Sequence, residues 1–299
     1  MTAAIEHVED VYPTRLEEGF STLPRQDEVV WGTAADGPMD QQALDSYDER
    51  GYLTVPDLIT PEEVAELRAE LHRLSNDPAT RADERTIIEP ASQEVRSIFE
   101  VHRTSDLIAR LAADPRVAGR ARQVLGSDVY IHQSRINFKP GFGGGDFYWH
   151  SDFETWHAED GLPRMRTASI SISLTDNHSF NGPLMIMPGT HRTYVSCGGA
   201  TPEDNYKSSL VMQGAGTPDQ ETVAKMADAY GIDVLAGAAG SAVMFDCNCM
   251  HGSNGNITPY PRSNVFLVFN SVENTAVEPF SASSPRPTFI GARDFTPVG

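Results

Sequence analysis

The first third of the chain carries hydrophobic residues at helical spacing. A stripe that runs from Val64 to Leu74 recurs every three or four residues, which is the period of one face of an α-helix. Thr60, Pro61 and Glu63 stand just before it, in the pattern of an N-cap, a first-turn proline and a capping-box partner. The pattern therefore predicts a helix that begins after Thr60 and packs its apolar stripe into the core.

Two more helical stretches flank this one. Residues 44–53 predict a short helix that turns into a strand at 51–55. Residues 105–125 predict a helical region that is interrupted at Pro115, because proline breaks the hydrogen-bond ladder inside a helix. The N-terminal part of the fold is therefore expected to be helical.

From residue 129 onward the pattern changes to short β-type segments. They alternate or are rich in β-branched residues, and Gly, Pro, Asn and Asp separate them: 129–138, 167–174, 184–187, 241–245 and 264–272. Residues 201–230 are predicted to form a loop and a helix inserted between strands. The predicted fold is mainly β with flanking helices, around a double-stranded β-helix, the jelly roll of cupin-like proteins.

The 299 residues suit one β-rich domain better than two. Residues 1–40 are acidic and broken by prolines, so we expect an extended, partly ordered arm. Residues 41–299 are expected to form a single jelly-roll domain with a helical N-terminal part. The Ser- and Pro-rich tail at 281–299 is expected to wrap around this domain or to fray.

Acidic residues outnumber basic ones, 42 against 23, and the formal net charge is −19. This charge argues against nucleic acid and anionic membranes as partners, because both bind clustered Lys and Arg. The three cysteines show no disulfide spacing, which is typical of a reducing compartment such as the cytoplasm. We find no signal-peptide pattern and no apolar run of about 18 residues that predicts a membrane span.

The segment at 147–157 holds the most informative polar residues. His150 and Asp152 lie two positions apart at the end of a predicted strand, so their side chains share one side. His251, far along the chain, would complete a set of two nitrogens and one oxygen, which leaves positions open for oxygen on Fe(II). His-x-Asp alone is a common chance pair, so further residues have to support this site.

Arg262 provides such support. It follows His251 by a short gap and starts a predicted strand that can run back beside the metal. An arginine in that place can form a two-pronged ion pair with a carboxylate a few ångströms from the iron.

Two other sets of residues compete for a metal. His157 and Glu159 repeat the His-x-acid pattern close by. Cys247 and Cys249 precede His251 at strand spacing and suggest zinc. Successive same-face residues on a straight strand converge poorly on one ion, however, and no second cysteine pair completes a tetrahedral site. Buried free thiols are the preferred interpretation of both cysteines.

The remaining polar residues have structural interpretations. His178 and His191 are expected to be structural, and Glu154 to be a supporting or surface acid. Arg135 stays open between a salt-bridged strand residue and a substrate ligand. The glycine-rich stretch 141–145 lacks the Lys-Ser/Thr ending of a phosphate loop and predicts a turn. Four histidines without a pairing pattern are expected at the surface or in local hydrogen bonds: His7, His72, His102 and His132.

The metal motif, the arginine after it and the turn at 182–191 resemble the phytanoyl-CoA dioxygenase-like superfamily of 2-oxoglutarate oxygenases. Within it, residues 147–161 closely resemble the signature segment of ectoine hydroxylases, and the resemblance covers about residues 47–293. It implies a jelly roll, a homodimer and the formation of 5-hydroxyectoine, a compatible solute that fits a role in osmotic stress.

The resemblance also implies roles for individual residues. Iron(II) is expected on His150, Asp152 and His251, and O2 is the second co-substrate. The first co-substrate, 2-oxoglutarate, is expected to bind through Arg262, Asn137, Ser169, Ser253, Phe99 and Gln133. Ectoine is expected to lie against Gln133, Arg135, Trp156, Phe245, Asn264 and Phe266. The alternation of residues 133, 135 and 137 supports this, since it places them on one face of a strand.

Two other functions stay open at this point. The same chemistry suits the hydroxylation of another small zwitterion, such as proline. A cupin that holds a metal without consuming 2-oxoglutarate belongs to a different class. Arg262 separates that class from the oxygenases, because a jelly roll that is not an oxygenase has no reason to place an arginine there.

Overall fold

The computed structural model of the chain describes residues 8–17, 19–89, 93–210 and 214–299. A π-helical turn (Trp156–Asp160) and a 3-10 turn (Thr190–Arg192) accompany the helices. The α-helices in these ranges are α1 (Gln41–Arg50), α2 (Pro61–Asn76), α3 (Pro78–Ala82), α4 (Val101–Thr104), α5 (Asp106–Ala113), α6 (Ala118–Leu125), α7 (Asp152–Thr155), α8 (Asn205–Ser209) and α9 (Gln220–Tyr230). The strands are β1 (Ser21–Pro24), β2 (Tyr52–Val55), β3 (Thr86–Ile88), β4 (Val95–Phe99), β5 (Val129–Lys139), β6 (Phe147–His150), β7 (Thr167–Ser173), β8 (Leu184–Ile186), β9 (Thr193–Ser196), β10 (Asp233–Leu235), β11 (Ala242–Asp246), β12 (His251–Ser253) and β13 (Arg262–Ser271).

These strands form two main sheets and one short ribbon. The larger sheet has the order β2–β11–β7–β13–β5–β4–β3, the smaller has β10–β8–β12–β6, and β1 pairs with β9. From β5 to β8 and from β10 to β13 the chain alternates between the sheets, and β9 of the ribbon interrupts this order. Strands β5, β7, β11 and β13 lie in the larger sheet, and β6, β8, β10 and β12 in the smaller one. Paired neighbours run antiparallel. Strands that alternate between two antiparallel sheets in this way form a jelly roll.

The larger sheet separates a helical core from the interior of the barrel. Ile170 and Ile172 of β7 pack into one apolar cluster with Leu67 of α2. Ser169 and Ser171 alternate with them and point to the opposite face, because successive strand residues face opposite ways. The helices therefore bury the apolar face of this sheet, and its polar face is left to line the inside of the jelly roll.

Most of the predicted elements are present. Helix α2 has the predicted capping box: Thr60 Oγ1 accepts from the backbone N–H of Glu63, and the Glu63 carboxylate accepts from the N–H of Thr60. The interruption before Pro115 separates α5 from α6. The insertion at 201–230 holds two helices, α8 and α9, where the sequence predicted one. At five residues, α8 is too short to show a helical period.

The arm and the tail both contact the barrel. The arm pairs through β1 with β9. In the tail, the backbone N–H of Ala292 donates to His132 O (2.9 Å) and that of Val298 donates to Val129 O (2.8 Å), so the tail wraps along β5. In the described part of the chain, no helix is both long and apolar enough to cross a membrane.

Candidate metal centre and its two pockets

Three ligand atoms meet between the two sheets. His150 ends β6, Asp152 begins α7, and His251 begins β12, where it pairs directly with His150. One atom of each side chain lies within 4.8 Å of the other two. The His150 Nε2 to Asp152 Oδ1 distance is 3.6 Å, and His251 Nε2 lies 3.9 Å from Asp152 Oδ2. These gaps are too long for strong hydrogen bonds, so the three groups converge on a common point without satisfying one another.

The outward nitrogens of both imidazoles are occupied. His150 Nδ1 lies 2.6 Å from Tyr148 O, and His251 Nδ1 lies 3.0 Å from Cys249 O. A backbone carbonyl on Nδ1 fixes the proton there and leaves the Nε2 lone pair free for a metal. Burial, with His150 alongside, lowers the pKa of His251 to about 4, so this imidazole is neutral at pH 7.

The carboxylate completes a set that fits iron(II). Asp152 Oδ2 is buried and has no hydrogen-bond partner in the described ranges. Burial alone would raise the pKa of Asp152, but the neighbouring His251, His150 and Arg135 outweigh it and lower the pKa to about 2. A buried, ionised and unsatisfied oxygen beside two oriented imidazoles needs a cation. Two nitrogens and one oxygen on one side of an ion are the preferred donors of non-haem Fe(II).

A first cavity, the Arg262 pocket, opens on one side of these ligands. Arg262 Nη1 donates to Gly182 O (2.5 Å), but its Nε is buried without a partner. Burial lowers the pKa of Arg262 to about 10, so the side chain is still a cation at pH 7. The pocket is lined by Arg135, Asn137, Phe138, Lys139, Phe147, His150, Ser171, Leu184, Phe245, His251, Gly252, Ser253, Arg262, Asn264 and Phe266.

A second cavity, the Trp156 pocket, opens on the other side. It shares Arg135, Phe147 and His150 with the first and also reaches Asp152. Its other lining residues are Ser97, Phe99, Gln133, Thr155, Trp156, Asn205, Ser209, Leu210, Ala215 and Arg286. The candidate metal centre therefore lies where two separate ligands can reach it.

Arg135 lies between the pockets and forms no salt bridge in the described part of the chain, although the charge of Asp152 is near enough to raise its pKa against the effect of burial. Its guanidinium carbon stands 4.7 Å from the Phe266 ring centroid and 5.9 Å from that of Phe99. Its Nε is buried without a hydrogen bond, and burial lowers its pKa to about 10. The structure therefore shows no salt bridge for Arg135, and its role as a substrate ligand stays a prediction.

The residues of each predicted ligand set are divided between the two pockets. Of the residues expected at 2-oxoglutarate, Arg262, Asn137 and Ser253 line the Arg262 pocket, but Phe99 and Gln133 line the Trp156 pocket. Of those expected at the substrate, Gln133 and Trp156 line the Trp156 pocket, Phe245, Asn264 and Phe266 line the Arg262 pocket, and Arg135 lines both.

Ser169 lines neither pocket. Ser171 stands in its place, and its Oγ accepts from Asn264 Nδ2 (2.8 Å). The two serines face the same way on β7, but they are one full strand repeat apart, roughly 6.6–7 Å. The sequence pattern could predict that the two serines share a face. Their depth in the barrel depends on the register with β11 and β13, in which Ser169 pairs with Phe245 and Val268.

Two cations in the pockets were missed at the sequence level. Lys139 ends β5, and its Nζ donates to Ser253 Oγ (2.8 Å) and Asn254 O (2.5 Å). Burial, with Arg262 and Arg96 nearby, lowers the pKa of Lys139 to about 7. Arg286 reaches the Trp156 pocket from the tail. Lys139 continues the alternation of residues 133, 135 and 137 by one more step, so that pattern could have identified it, whereas no periodicity marks the tail.

The rival metal ligands lie elsewhere. His157 is buried, with Nε2 3.0 Å from Asp10 Oδ1 and Nδ1 2.8 Å from Leu162 O. Cys247 and Cys249 are buried free thiols, and burial raises the pKa of each well above its usual range. The metal-type cluster found in the described ranges contains none of the three.

Two histidine interpretations are wrong. His132, expected at the surface or in a local contact, is fully buried, and its Nε2 lies 3.0 Å from Asp160 Oδ2. The partner is distant along the chain, so a local pattern could not reveal it. His102, with the same expectation, is half-buried, and its Nδ1 lies 2.6 Å from Ser134 Oγ, 32 positions along the chain. His72, His178 and His191 lie outside the metal cluster, and His7 lies outside the described residues.

Together the jelly roll and this donor set define a class, the mononuclear non-haem iron oxygenases that use a 2-oxo acid. The family described as phytanoyl-CoA dioxygenase (PhyH) matches residues 47–264. A protein named ectoine dioxygenase from Streptomyces coelicolor is 64% identical over 299 residues, which cover 100% of both chains. One of the same name from Stutzerimonas stutzeri is 52% identical over 97% of this chain and 96% of its own. The chain therefore belongs to the phytanoyl-CoA dioxygenase family and, within it, to the ectoine dioxygenases.

Solved structures agree with this assignment. The crystal structure of EctD from S. alaskensis with 2-oxoglutarate and 5-hydroxyectoine matches with a TM-score of 0.88 and 46% identity, over 96% of each chain. The non-haem α-ketoglutarate-dependent carbocyclase SnoK matches with a TM-score of 0.58 at 21% identity, over 80% of this chain and 86% of its own, and shows the fold alone. The predicted jelly roll is confirmed.

Proposed function

We propose that this chain hydroxylates ectoine to 5-hydroxyectoine and converts 2-oxoglutarate and O2 to succinate and CO2. The observation that carries the proposal is a pair of half-buried arginines, Arg262 and Arg135, that flank the candidate metal centre. Their Nε atoms are buried without a hydrogen bond, and neither side chain forms a salt bridge within the described residues. Each arginine suits one carboxylate ligand, and the reaction brings two such ligands to one metal.

His150, Asp152 and His251 would hold Fe(II). When bound, iron together with 2-oxoglutarate and O2 supplies the oxidising power that replaces a C–H bond of the substrate by C–OH. The chain's own contribution is to orient both ligands and to keep water out. The carbonyl contacts of the two imidazoles fix how they face the ion.

The Arg262 pocket suits 2-oxoglutarate. Arg262 can bind the distal carboxylate through its fork of N–H donors, as this geometry favours. Lys139 and Ser253 form a hydrogen-bonded pair on the same wall, and Asn137 lies on the same strand as Lys139. Two cations and two polar groups thus surround the space beside the metal.

Ectoine carries one carboxylate and a delocalised ring cation, and both features have matching groups near the metal. Arg135 suits the carboxylate, with Gln133 and Asn264 as hydrogen-bond partners. Trp156, from the Trp156 pocket, and Phe245 and Phe266, from the wall of the Arg262 pocket, would face the ring where the two pockets meet at Arg135. Aromatic faces suit the ring because they attract cations and exclude water. Gln133 is itself held by the tail, where its Nε2 donates to Ile290 O (2.8 Å).

The test is product analysis with anaerobically purified protein, Fe(II), 2-oxoglutarate and O2. With ectoine, mass spectrometry should show a product with one added oxygen and an equal amount of succinate. A panel that includes proline separates the substrates, since the same chemistry suits other small zwitterions. Metal binding without any succinate would assign the chain to the non-oxygenase cupins and refute the proposal.

We also propose that residues 41–299 form a single domain, and that the protein works as a homodimer in the cytoplasm under osmotic stress. Three buried free cysteines support a reducing compartment. The resemblance to ectoine hydroxylases supports the dimer. Sedimentation of the purified holoenzyme measures the oligomeric state directly.

A further inference from the structure

Two buried carboxylates in the segment that follows Asp152 have no role in the proposed binding of iron, 2-oxoglutarate or ectoine. Glu154 lies on α7 and Glu159 on the π-helical turn, and they are 1% and 2% exposed. Neither belongs to the metal cluster of the described residues. A buried carboxylate costs several kcal/mol unless it is paired, so the groups that pair with these two define their function.

Their common partner comes from the N-terminal arm. Arg15 Nε donates to Glu154 Oε1 (2.6 Å), and its Nη2 donates to Glu154 Oε2 (2.9 Å) and to Glu159 Oε1 (3.1 Å). Thr14 Oγ1 adds a donor to Glu154 Oε1 (2.7 Å). The Arg15 side chain is fully buried, and its backbone holds a left-handed φ of 58°. A non-glycine residue in that region costs roughly 1–3 kcal/mol, which the surrounding contacts must offset.

A second segment of the chain contacts the same three charged residues, Arg15, Glu154 and Glu159. We call residues 201–210 and 214–216 the cover segment. It contributes Asn205, Ser209, Leu210 and Ala215 to the wall of the Trp156 pocket. Asn205 Nδ2 donates to Glu159 Oε1 (2.7 Å), and Arg15 Nη1 donates to Thr201 Oγ1 (3.3 Å). The first part of the cover segment is therefore held by Arg15 and Glu159.

The far end of the cover segment meets the same cluster. A Cβ added to Gly216 would lie 2.3 Å from Glu154 Oε2 and 2.5 Å from Arg15 Nη2. Gly216 also has a φ of 76°, which side chains disfavour. Only glycine lets the backbone lie directly on this ion pair, so both ends of the cover segment are seated on the cluster.

We propose that Arg15, through Glu159 and Glu154, is a positioning residue that seats the cover segment over the substrate. The inference rests on the proposed function, since it assigns the Trp156 pocket to ectoine. Arg15 does not line either pocket. Its removal leaves two carboxylates facing each other in a buried space, which weakens the seat of Asn205 on one side and of Gly216 on the other.

The expected consequence is selective. A poorly seated cover segment lowers the affinity for ectoine and admits water, so 2-oxoglutarate is consumed without hydroxylation of the substrate. The iron ligands and the Arg262 pocket lie on the strands and at the start of α7, which the cover segment does not form. Arg15→Gln should raise the KM for ectoine roughly tenfold or more, the loss expected for a charged hydrogen bond. It should lower the ratio of hydroxylated product to succinate and leave the KM for 2-oxoglutarate within about twofold.

The matched control is Arg25→Gln. Arg25 also lies in the arm and forms a buried ion pair, 2.8 Å from Arg25 Nη1 to Asp246 Oδ1, but it does not touch the cover segment. If anchoring of the arm were all that mattered, both variants would shift the ectoine KM and the product ratio alike. That result, or an Arg15→Gln enzyme that changes only its Tm, would overturn the proposal.

Two further variants keep the test decisive. Arg15→Lys keeps the charge but not the fork, and it should recover part of the coupling between succinate and product. Gly216→Ala should reproduce the Arg15→Gln kinetics from the other side of the contact, also when Arg15→Gln fails to fold; wild-type kinetics in Gly216→Ala would contradict the inference. The wild-type holoenzyme is assayed first, because failure to hydroxylate ectoine there refutes the proposed function and not the role of Arg15.

Discussion

Two groups of charged side chains in this molecule differ in whether their buried polar atoms have a partner. In the barrel, Arg135, Arg262 and Asp152 each carry a buried polar atom without a hydrogen-bond partner in the described residues. In the arm, Arg25 is paired with Asp246 at 2.8 Å, and Arg15 with Glu154 at 2.6 Å. The polar atoms concerned are buried in both groups, so the main difference is whether they have a partner.

This difference separates function from folding. A buried charge without a partner costs free energy, and a fold retains it where a ligand supplies the missing partner. A paired buried charge already has its partner, and removing one member leaves the other unpaired at a cost of roughly 3–5 kcal/mol. We therefore expect substitutions in the barrel to remove binding at little cost in stability, and substitution of Arg25 in the arm to lower stability at little cost in binding. Arg15→Gln should affect both, because the Arg15 ion pairs also hold the cover segment.

The largest effect is expected from Asp152→Ala. Without the carboxylate the metal site loses its charged donor, so iron content should fall to background and activity by more than about 10³-fold. The Tm of the metal-free protein should stay the same or rise, because an unsatisfied buried oxygen is removed. His157→Gln is the matched control, since it alters a buried histidine that lies outside the cluster. Loss of iron in that control instead would transfer the ligand role to His157.

Next in size is Arg25→Gln, which breaks a paired charge. Asp246 keeps its buried carboxylate, so the free energy of unfolding should fall by about 3–5 kcal/mol and the Tm by roughly 5–10 °C. Both Michaelis constants should remain at wild-type values. The comparison would fail if this variant unfolded at the wild-type temperature, as measured by calorimetry on the iron-loaded protein.

Arg262→Gln tests an unpaired charge. The loss of one two-pronged bond to a carboxylate should raise the KM for 2-oxoglutarate by roughly 10- to 100-fold, with iron content and the Tm unchanged. Arg262→Lys should fall between the two, because lysine offers the charge without the fork. If iron were lost along with the co-substrate, Arg262 would belong to the metal site and not to a separate pocket.

The same difference between the barrel and the arm determines which features could be predicted from the sequence alone. The barrel strands could be predicted from alternation, as in β7, where Ser and Ile alternate from Ser169 to Ile172. Such alternation arises because the two faces of a strand meet different surroundings. His150 and Asp152 could be predicted as a pair because residues two positions apart on a strand point to the same side. The depth of Ser169 in the barrel could not be predicted, because it depends on the register with two strands that are distant in the chain.

The arm contacts could not be predicted from this sequence. Arg15 meets Glu154, which lies 139 positions away along the chain, inside a segment without periodicity. Pairing over that distance leaves no local pattern, because it is fixed by where the finished fold places the two ends. Lys139 is an intermediate case, since it lies on a predicted face but beyond the predicted end of its strand.

A smaller effect concerns pH and Lys139. Its free-enzyme pKa is lowered to about 7 by burial, Arg262 and Arg96, whereas Asp146 works in the opposite direction. A bound carboxylate favours the charged amine, so above pH 7 binding of 2-oxoglutarate must take up a proton. The KM for 2-oxoglutarate should therefore rise with pH above about 7, by at most roughly tenfold per unit. Lys139→Arg, which stays charged, should flatten this profile relative to wild type; equal slopes in both proteins would exclude Lys139 from co-substrate binding.

The smallest effect tests helix α2, in which no charged residue is buried. Thr60→Ala removes the N-cap that accepts from the Glu63 N–H, so α2 should lose about 1 kcal/mol and the Tm should fall by roughly 2 °C. Glu66→Ala, at an exposed position of the same helix, should change neither. Both variants should keep wild-type kinetics for both substrates, because α2 packs on the apolar face of the larger sheet and the pockets open on the other. A shift in either KM for Thr60→Ala would show that the sheet transmits changes between its faces, and the division between folding and function would then not follow the faces of that sheet.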